Sequence, residues 1–190
     1  MASKISIINF ALTLIGGNPI SSLEEKSVSA STANLMYGMS LDSILGSHPW
    51  TFAIMRKNIE ISHNSSPAWG YANSFNLPED CLRILQVNEL DFLPNIDYKV
   101  ENRRILTDES TVNLLYISND INIQHASATF VEAFASKIAV NLCGKLADTS
   151  TKLTAMAAIY ANSLRIAIQA NDTETSYVEN NSSWVRARAR

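Results

Sequence analysis

Histidine, cysteine and paired carboxylates build most catalytic and metal sites, and this chain of 190 residues has three histidines, two cysteines and 18 acidic side chains to place. His48, His63 and His125 fall in three separate segments, without the short ligand spacing of a zinc site. Cys81 and Cys143 are far apart and each has apolar neighbours, which reads as two reduced, buried thiols rather than a disulfide. Cys143 sits beside Leu142 in a helical pattern, a core position rather than that of a nucleophile paired with histidine. Glu24 and Glu25 are adjacent, whereas the two carboxylates of a glycosidase face each other across a cleft. Near a helix start such a pair serves the helix dipole on a solvated face. Gly16 and Gly17 precede Pro19 at a helix end, not at the helix start that a phosphate loop requires. The expectation is a non-enzyme with no cofactor and no metal.

What remains is aromatic and basic. Trp50, Phe52, Trp69, Tyr71 and Phe75 lie close together in sequence. Trp50 and Phe52 read as core where a helical part meets a β-rich one. Trp69 and Tyr71 follow the polar stretch SHNSSP and are either packing anchors or partner contacts. The chain closes with NNSSWVRARAR, in which Trp184, Arg186, Arg188 and Arg190 alternate with Val185, Ala187 and Ala189. In an extended strand this alternation puts the arginines on one face. It is either a frayed end or a docking strap that orders on a partner.

These residues need elements to hold them. Ile5, Ile8, Leu12 and Ile15 repeat at helical spacing, with Ser3 as a cap and Gly16–Pro19 as the stop. A polar linker follows, with Leu23 as its buried anchor. A second helix is predicted over 28–45, with Leu35, Met36, Met39 and Ile44 inward. From Trp50 the period changes to short β-branched and aromatic runs separated by Pro, Asn, Asp and Ser. VENRR reads as a tight hairpin turn with Asn102 at positive φ, so residues 97–118 are predicted to form a three-stranded meander. The helical period returns after His125: Phe130, Phe134, Ile138, Leu142 and Leu146, then Leu153, Met156, Tyr160, Leu164 and Ile168, both runs rich in alanine. Four apolar stripes that must bury one another predict an α+β, mainly α fold. It consists of an antiparallel four-helix bundle (1–49 and 120–171, two N-terminal and two C-terminal helices), a β-rich insertion (50–119) and an extended C-terminal docking tail (172–190). The bundle core is expected to include Phe130 and Phe134.

Charge is unevenly spread. The formal net charge is -3, yet residues 180–190 hold three arginines and no acid, leaving 12 basic and 18 acidic side chains for residues 1–179. An acidic body is a poor general binder of nucleic acid. No apolar run reaches the ~18 residues of a membrane span. Ser6 and Asn9 interrupt the first apolar stretch, which reads as a helix rather than a signal peptide. The expectation is a protein made in a cytoplasm with no membrane anchor. With 46% of the chain hydrophobic and four stripes to fill, little apolar surface is expected to remain for a large obligate interface.

The order and spacing of several stretches resemble one family. ALTLIGGNPISSL, a helix, SHPWTFAIMRKNI, WGYANSFNLPEDCLRILQV, YKVENRRILTD, and LLYI followed by FVEAFASKIAVNLCGKLA are similar to the head-to-tail adaptors of short-tailed bacteriophages, the tail tubular protein A family, over roughly residues 5–171. Asn102 departs from the glycine common in that hairpin. The resemblance implies a structural virion protein at the head–tail junction: a dodecameric ring between the portal protein and the tail nozzle protein, through which DNA passes during ejection without sequence-specific binding. It implies that the helical part forms the ring and that the C-terminal segment (Trp184, Val185, Arg186, Arg188, Arg190) reaches toward the portal or a neighbouring subunit. Two alternatives stay open: a virion-associated peptidoglycan hydrolase, and a generic helical interaction module.

Overall fold

The computed structural model describes residues 2–61, 67–88, 97–146 and 150–176. The fold is mixed α+β, and the chain divides into two compact units, Met1–Phe52 with the segment from Asn122 onward, and Ala53–Ile121.

Among the described residues the first unit has four α-helices: α1 (Lys4–Leu14), α2 (Val28–Ser47), α3 (Ala128–Leu146) and α4 (Ser150–Ser176). Helix α1 starts with a reciprocal cap: Ser3 Oγ accepts from Ser6 N–H at 3.1 Å, and Ser6 Oγ accepts from Ser3 N–H at 2.8 Å. It stops where the sequence predicts. Gly16 takes φ 72°, and the N–H groups of Gly16 and Gly17 close on Thr13 and Leu12 carbonyls at 3.0 and 2.8 Å. Lys152 Nζ donates to the Ile15 carbonyl at 2.6 Å, placing a cation at the negative end of α1. The linker is anchored by Ile20, which is buried, and not by Leu23, which is half-buried. The reason is Asn9, whose side chain donates to Ile20 C=O at 2.9 Å and accepts from Ile20 N–H at 2.8 Å, pairing with the linker as a strand would.

Helices α1, α2 and α4 each pack on α3. Helix α3 is accordingly buried on nearly all sides, through Phe130, Ala133, Phe134, Ala135, Ile138, Ala139, Leu142 and Cys143. The small residues let three helices approach it. Helix α2 buries Ile44 as predicted, but the rest of its inward face includes Ala30, Ala33, Tyr37 and Ser40, while Met36 is half-buried and Leu35 and Met39 are exposed. Its inward face holds two polar side chains: Ser40, whose Oγ accepts from Asn141 Nδ2 of α3 at 2.8 Å, and Thr32, whose hydroxyl is buried without a partner. Helix α4 extends to Ser176, so residues 172–176 are helical rather than part of an extended tail.

The second unit is two three-stranded antiparallel sheets. One has the order β1 (Ile54–Ile59), β6 (Val112–Ser118), β3 (Cys81–Val87); the other has β2 (Asn73–Asn76), β5 (Arg104–Thr107), β4 (Tyr98–Glu101). Both contribute to one core, Ile59, Cys81, Val87, Val112, Leu114 and Tyr116 from the first and Phe75 and Ile105 from the second. The β4–β5 hairpin forms at the predicted turn, with Asn102 at φ 46° and Arg103 at φ 58°. The three-stranded meander does not form. Strand β6 leaves β5 and becomes the centre of the other sheet, between β1 and β3. Its alternate residues Val112, Leu114 and Tyr116 are buried, and so are Ile117 and Ser118, so it needs a neighbour on each edge. The β5–β6 connection is bent by side chains: Asp108 Oδ1 accepts from Ala72 N–H at 2.8 Å and Asn73 Nδ2 donates to Glu109 C=O at 2.9 Å.

Candidate functional site

The side chains with chemical potential are spent on structure. His48 follows α2, and its Nε2 lies 2.8 Å from Asp172 Oδ1 near the end of α4. Asn171 is buried beside it; its Oδ1 accepts from Thr51 N–H at 2.9 Å and its Nδ2 lies 3.2 Å from both Pro49 C=O and His48 Nε2. A ring nitrogen that donates to Asp172 cannot also accept from the amide, so the amide proton goes to Pro49. The nearby hydroxyls are engaged too: Ser47 Oγ donates to Ile44 C=O at 2.7 Å and Thr51 Oγ1 to Glu174 Oε2 at 3.4 Å. Together these bonds clasp residues 47–51 to the end of α4. His125 meets Asn122 at 3.5 Å, and His63 lies outside the described residues. Cys81 and Cys143 are free and buried, and burial pushes both thiols up from their ordinary range. Among the described residues no group of three or more His, Cys, Asp or Glu is placed to hold a metal ion, and no helix is long and apolar enough to cross a membrane.

Trp50 is fully buried and packs edge-on against Phe130 of α3, with ring centroids 4.8 Å apart; its indole N–H donates to Ile44 C=O at 2.8 Å. Phe52 meets the same ring at 4.8 Å but is only half-buried. Phe134 continues this aromatic row, with Tyr37 edge-on at 5.0 Å. The indole N–H is a further donor to Ile44 C=O in the last turn of α2, a carbonyl that also accepts from Ser47 Oγ.

Helix α2 carries apolar side chains outward: Val28, Leu35 and Met39, exposed at 66%, 63% and 63%. On α4, Leu153, Ile159 and Ile166 are partly exposed along and beside the stripe that meets α3. A helix that packs on α3 alone buries one stripe and leaves its opposite face free, and on α2 that free face is apolar. In α2 the stripe that looks hydrophobic in sequence is the outer one.

The second unit has a concavity of about 540 Å³ on the outer face of the β2–β5–β4 sheet. Its floor follows from the strand register: Ser74, Leu106 and Lys99 lie in one cross-strand row, and Arg104 and Glu101 in the next. The segment Pro67–Tyr71 forms its wall. Trp69 is 87% exposed there, while the Tyr71 hydroxyl donates to Asp97 Oδ1 at 3.3 Å. Burial first, then the negative charges of Asp97, Asp108 and Glu101, raise the Tyr71 phenol above its ordinary range. Ser74 is 1% exposed and its hydroxyl has no hydrogen-bond partner. Of the two aromatic residues left open by the sequence, Trp69 is thus free and Tyr71 is held. Trp184, Val185, Arg186, Arg188 and Arg190 lie outside the described residues. Sequence reading missed Ser74 and the clasp, because neither carries a local signal: Asn171 and Thr51 meet across 120 intervening positions.

No known family model matches this chain, and no curated protein matches it.

Proposed function

We propose that the protein is a structural adaptor of a short-tailed bacteriophage, a ring-forming body between portal and tail nozzle that lets DNA pass without binding its sequence. The observation that carries this reading is the outward apolar face of α2, Val28, Leu35 and Met39. A closed ring of identical subunits needs two different patches per copy, each meeting the other on the next copy. The outer face of α2 supplies one of them. In this reading the four helices act as a bundle that forms the ring, and the β-rich unit and C-terminal segment make contacts along its axis. The α2 face is only a few side chains wide, well under the ~800 Å² per partner of a standard interface. The free protein is then monomeric or weakly associated, and the portal templates the ring. The acidic body suits a DNA conduit, since basic walls would neutralise phosphates and hold the duplex. The stretches that resemble the adaptor family add to the reading.

The test is electron microscopy of the purified protein mixed with the portal protein of the same phage. Rings stacked on portal are the expected result. Mixtures that show portal alone at all protein ratios overturn the reading.

A further inference from the structure

The groove beside Trp69 has features that the ring does not use. Around Tyr71 stand three carboxylates, Asp97, Asp108 and Glu101, and above them an indole exposed over most of its surface. Carboxylates beside an open indole recognise guanidinium groups, through ion pairing and stacking of the cation on the ring.

The groove is bordered by an open strand. Strand β4 ends its sheet, with β5 on one side only, and all four of its residues are exposed. Its side chains alternate. Lys99 and Glu101 face the groove, in register with Ser74, Leu106 and Arg104. Tyr98 and Val100 take the other face, that of Phe75 and Ile105 in the core, yet they are 38% and 47% exposed because the sheet ends there. Lys99 and Arg104 also line the groove, where three carboxylates outnumber two cations; a strand that is apolar and small on one face and cationic with an aromatic on the other complements this edge. Residues 184–190 have that pattern. Val185, Ala187 and Ala189 would extend the Tyr98–Val100 face, and Trp184, Arg186, Arg188 and Arg190 would lie on the groove face.

We propose that the groove of one copy takes the segment Trp184–Arg190 of a second copy, added as a strand on β4. Groove and segment are different patches of one chain, so each copy can offer its segment to one neighbour and its groove to another. Main-chain bonds to β4 hold the strand, and the carboxylates around Tyr71 select arginine. This proposal does not rest on the adaptor reading, because it concerns copies of this chain in the absence of portal.

The experiment mixes two full-length variants, one with Lys99→Cys and the other with Ser182→Cys, which has the strand parity of Trp184 and Arg186 and so shares the groove face with Lys99; the native thiols are buried. Mild oxidation should yield a disulfide-linked pair of the two variants. The yield should fall about tenfold when the second variant also carries Arg186→Glu, Arg188→Glu and Arg190→Glu, and should recover when the first carries Asp97→Arg and Glu101→Arg. Trp69→Ala should lower it with the melting temperature unchanged. No linked pair, or a yield indifferent to charge, overturns the proposal. So does a link formed only within a single chain that bears both cysteines. Rings on portal with no cross-link would retain the adaptor reading and reject this one.

Discussion

Asp80 accepts two hydrogen bonds on one oxygen, from Ser118 Oγ at 2.6 Å and Tyr116 OH at 2.9 Å. Burial alone would raise its pKa, but these bonds, with the charge of Lys57, hold it below the ordinary carboxylate range. A group with a lowered folded pKa stabilises the fold above its unfolded value of ~3.9 and loses that contribution as pH falls through the folded one. Asp80→Asn should therefore lower stability near pH 7 by about 1.5–3 kcal/mol. The gap to the wild type should narrow in melting curves as pH falls below the ordinary carboxylate range and through the lowered folded-state pKa. Tyr116 behaves in the opposite sense: burial, then the bond to Asp80, push its phenol up to about 12. Its contribution is complete below the unfolded value of ~10 and is lost as pH rises toward 12, so Tyr116→Phe should flatten the alkaline limb of the stability profile. Arg103 is a second case. At φ 58° a glycine would relieve the backbone by about 1 kcal/mol. Yet the Arg103 guanidinium donates to the carbonyls of Pro78, Glu79 and Cys81 at 2.7, 3.2 and 3.4 Å, capping the approach to β3. Arg103→Gly should lower the melting temperature despite the easier turn; a rise would show that the turn strain outweighs the cap.

At the scale of elements, the helices differ in what a substitution reports. Asn9 on α1 makes both of its bonds to Ile20, so Asn9→Ala leaves the helix intact and frees the linker. The expected loss is about 1–3 kcal/mol, with new protease cleavage between residues 17 and 27 as the diagnostic readout. On α2 the outer face tells the opposite story. Leu35→Glu with Met39→Glu removes side chains that are 63% exposed and touch little within the unit. Thermal denaturation should be unchanged within ~0.5 kcal/mol, while ring formation on portal is abolished. A large fall in melting temperature would place these residues in the core instead.

At the scale of the molecule, charge and the Trp50 cluster are what matter. Truncating Trp50 removes the ring that packs on Phe130 and the donor to Ile44. Trp50→Ala should cost ~3–5 kcal/mol, a large share of a domain's ~5–15 kcal/mol, and soluble yield should fall with it. The three arginines of residues 186–190 offset an acidic remainder. Deleting residues 180–190 should leave the melting temperature unchanged and abolish stable loading onto portal. Reversing the three charges should do the same, more strongly at low salt, where screening is weakest. A truncated protein that loads as well as the full chain would reduce the segment to a frayed end.

Local rules carried the sequence a fixed distance. The caps at Ser3 and Gly16, the Asn102 hairpin and the return of the helical period after His125 are each set by neighbours within a few positions, so they were legible from spacing. Pairings across long stretches were not. Whether β6 would join β5 or lie between β1 and β3 depended on which edges could cover a strand buried on both faces. Which face of α2 turned inward depended on α3, whose Asn141 bonds Ser40 on the buried face. Hydrophobicity alone names Leu35 and Met39 as core; competition among three helices for one partner left them outside. The groove at Trp69 has the same origin, since Ser74, Glu101 and Tyr71 are distant in sequence and share a surface only because β2, β5 and β4 pair in register. Sequence by itself determined the order and type of the elements and such ends as the Ser3 cap and the Gly16 stop, through short-range hydrogen bonding and periodicity, but not the end of α4, which runs on to Ser176. Tertiary packing decided which faces remained open to a partner, because burial is a contest between elements that no single stretch can settle.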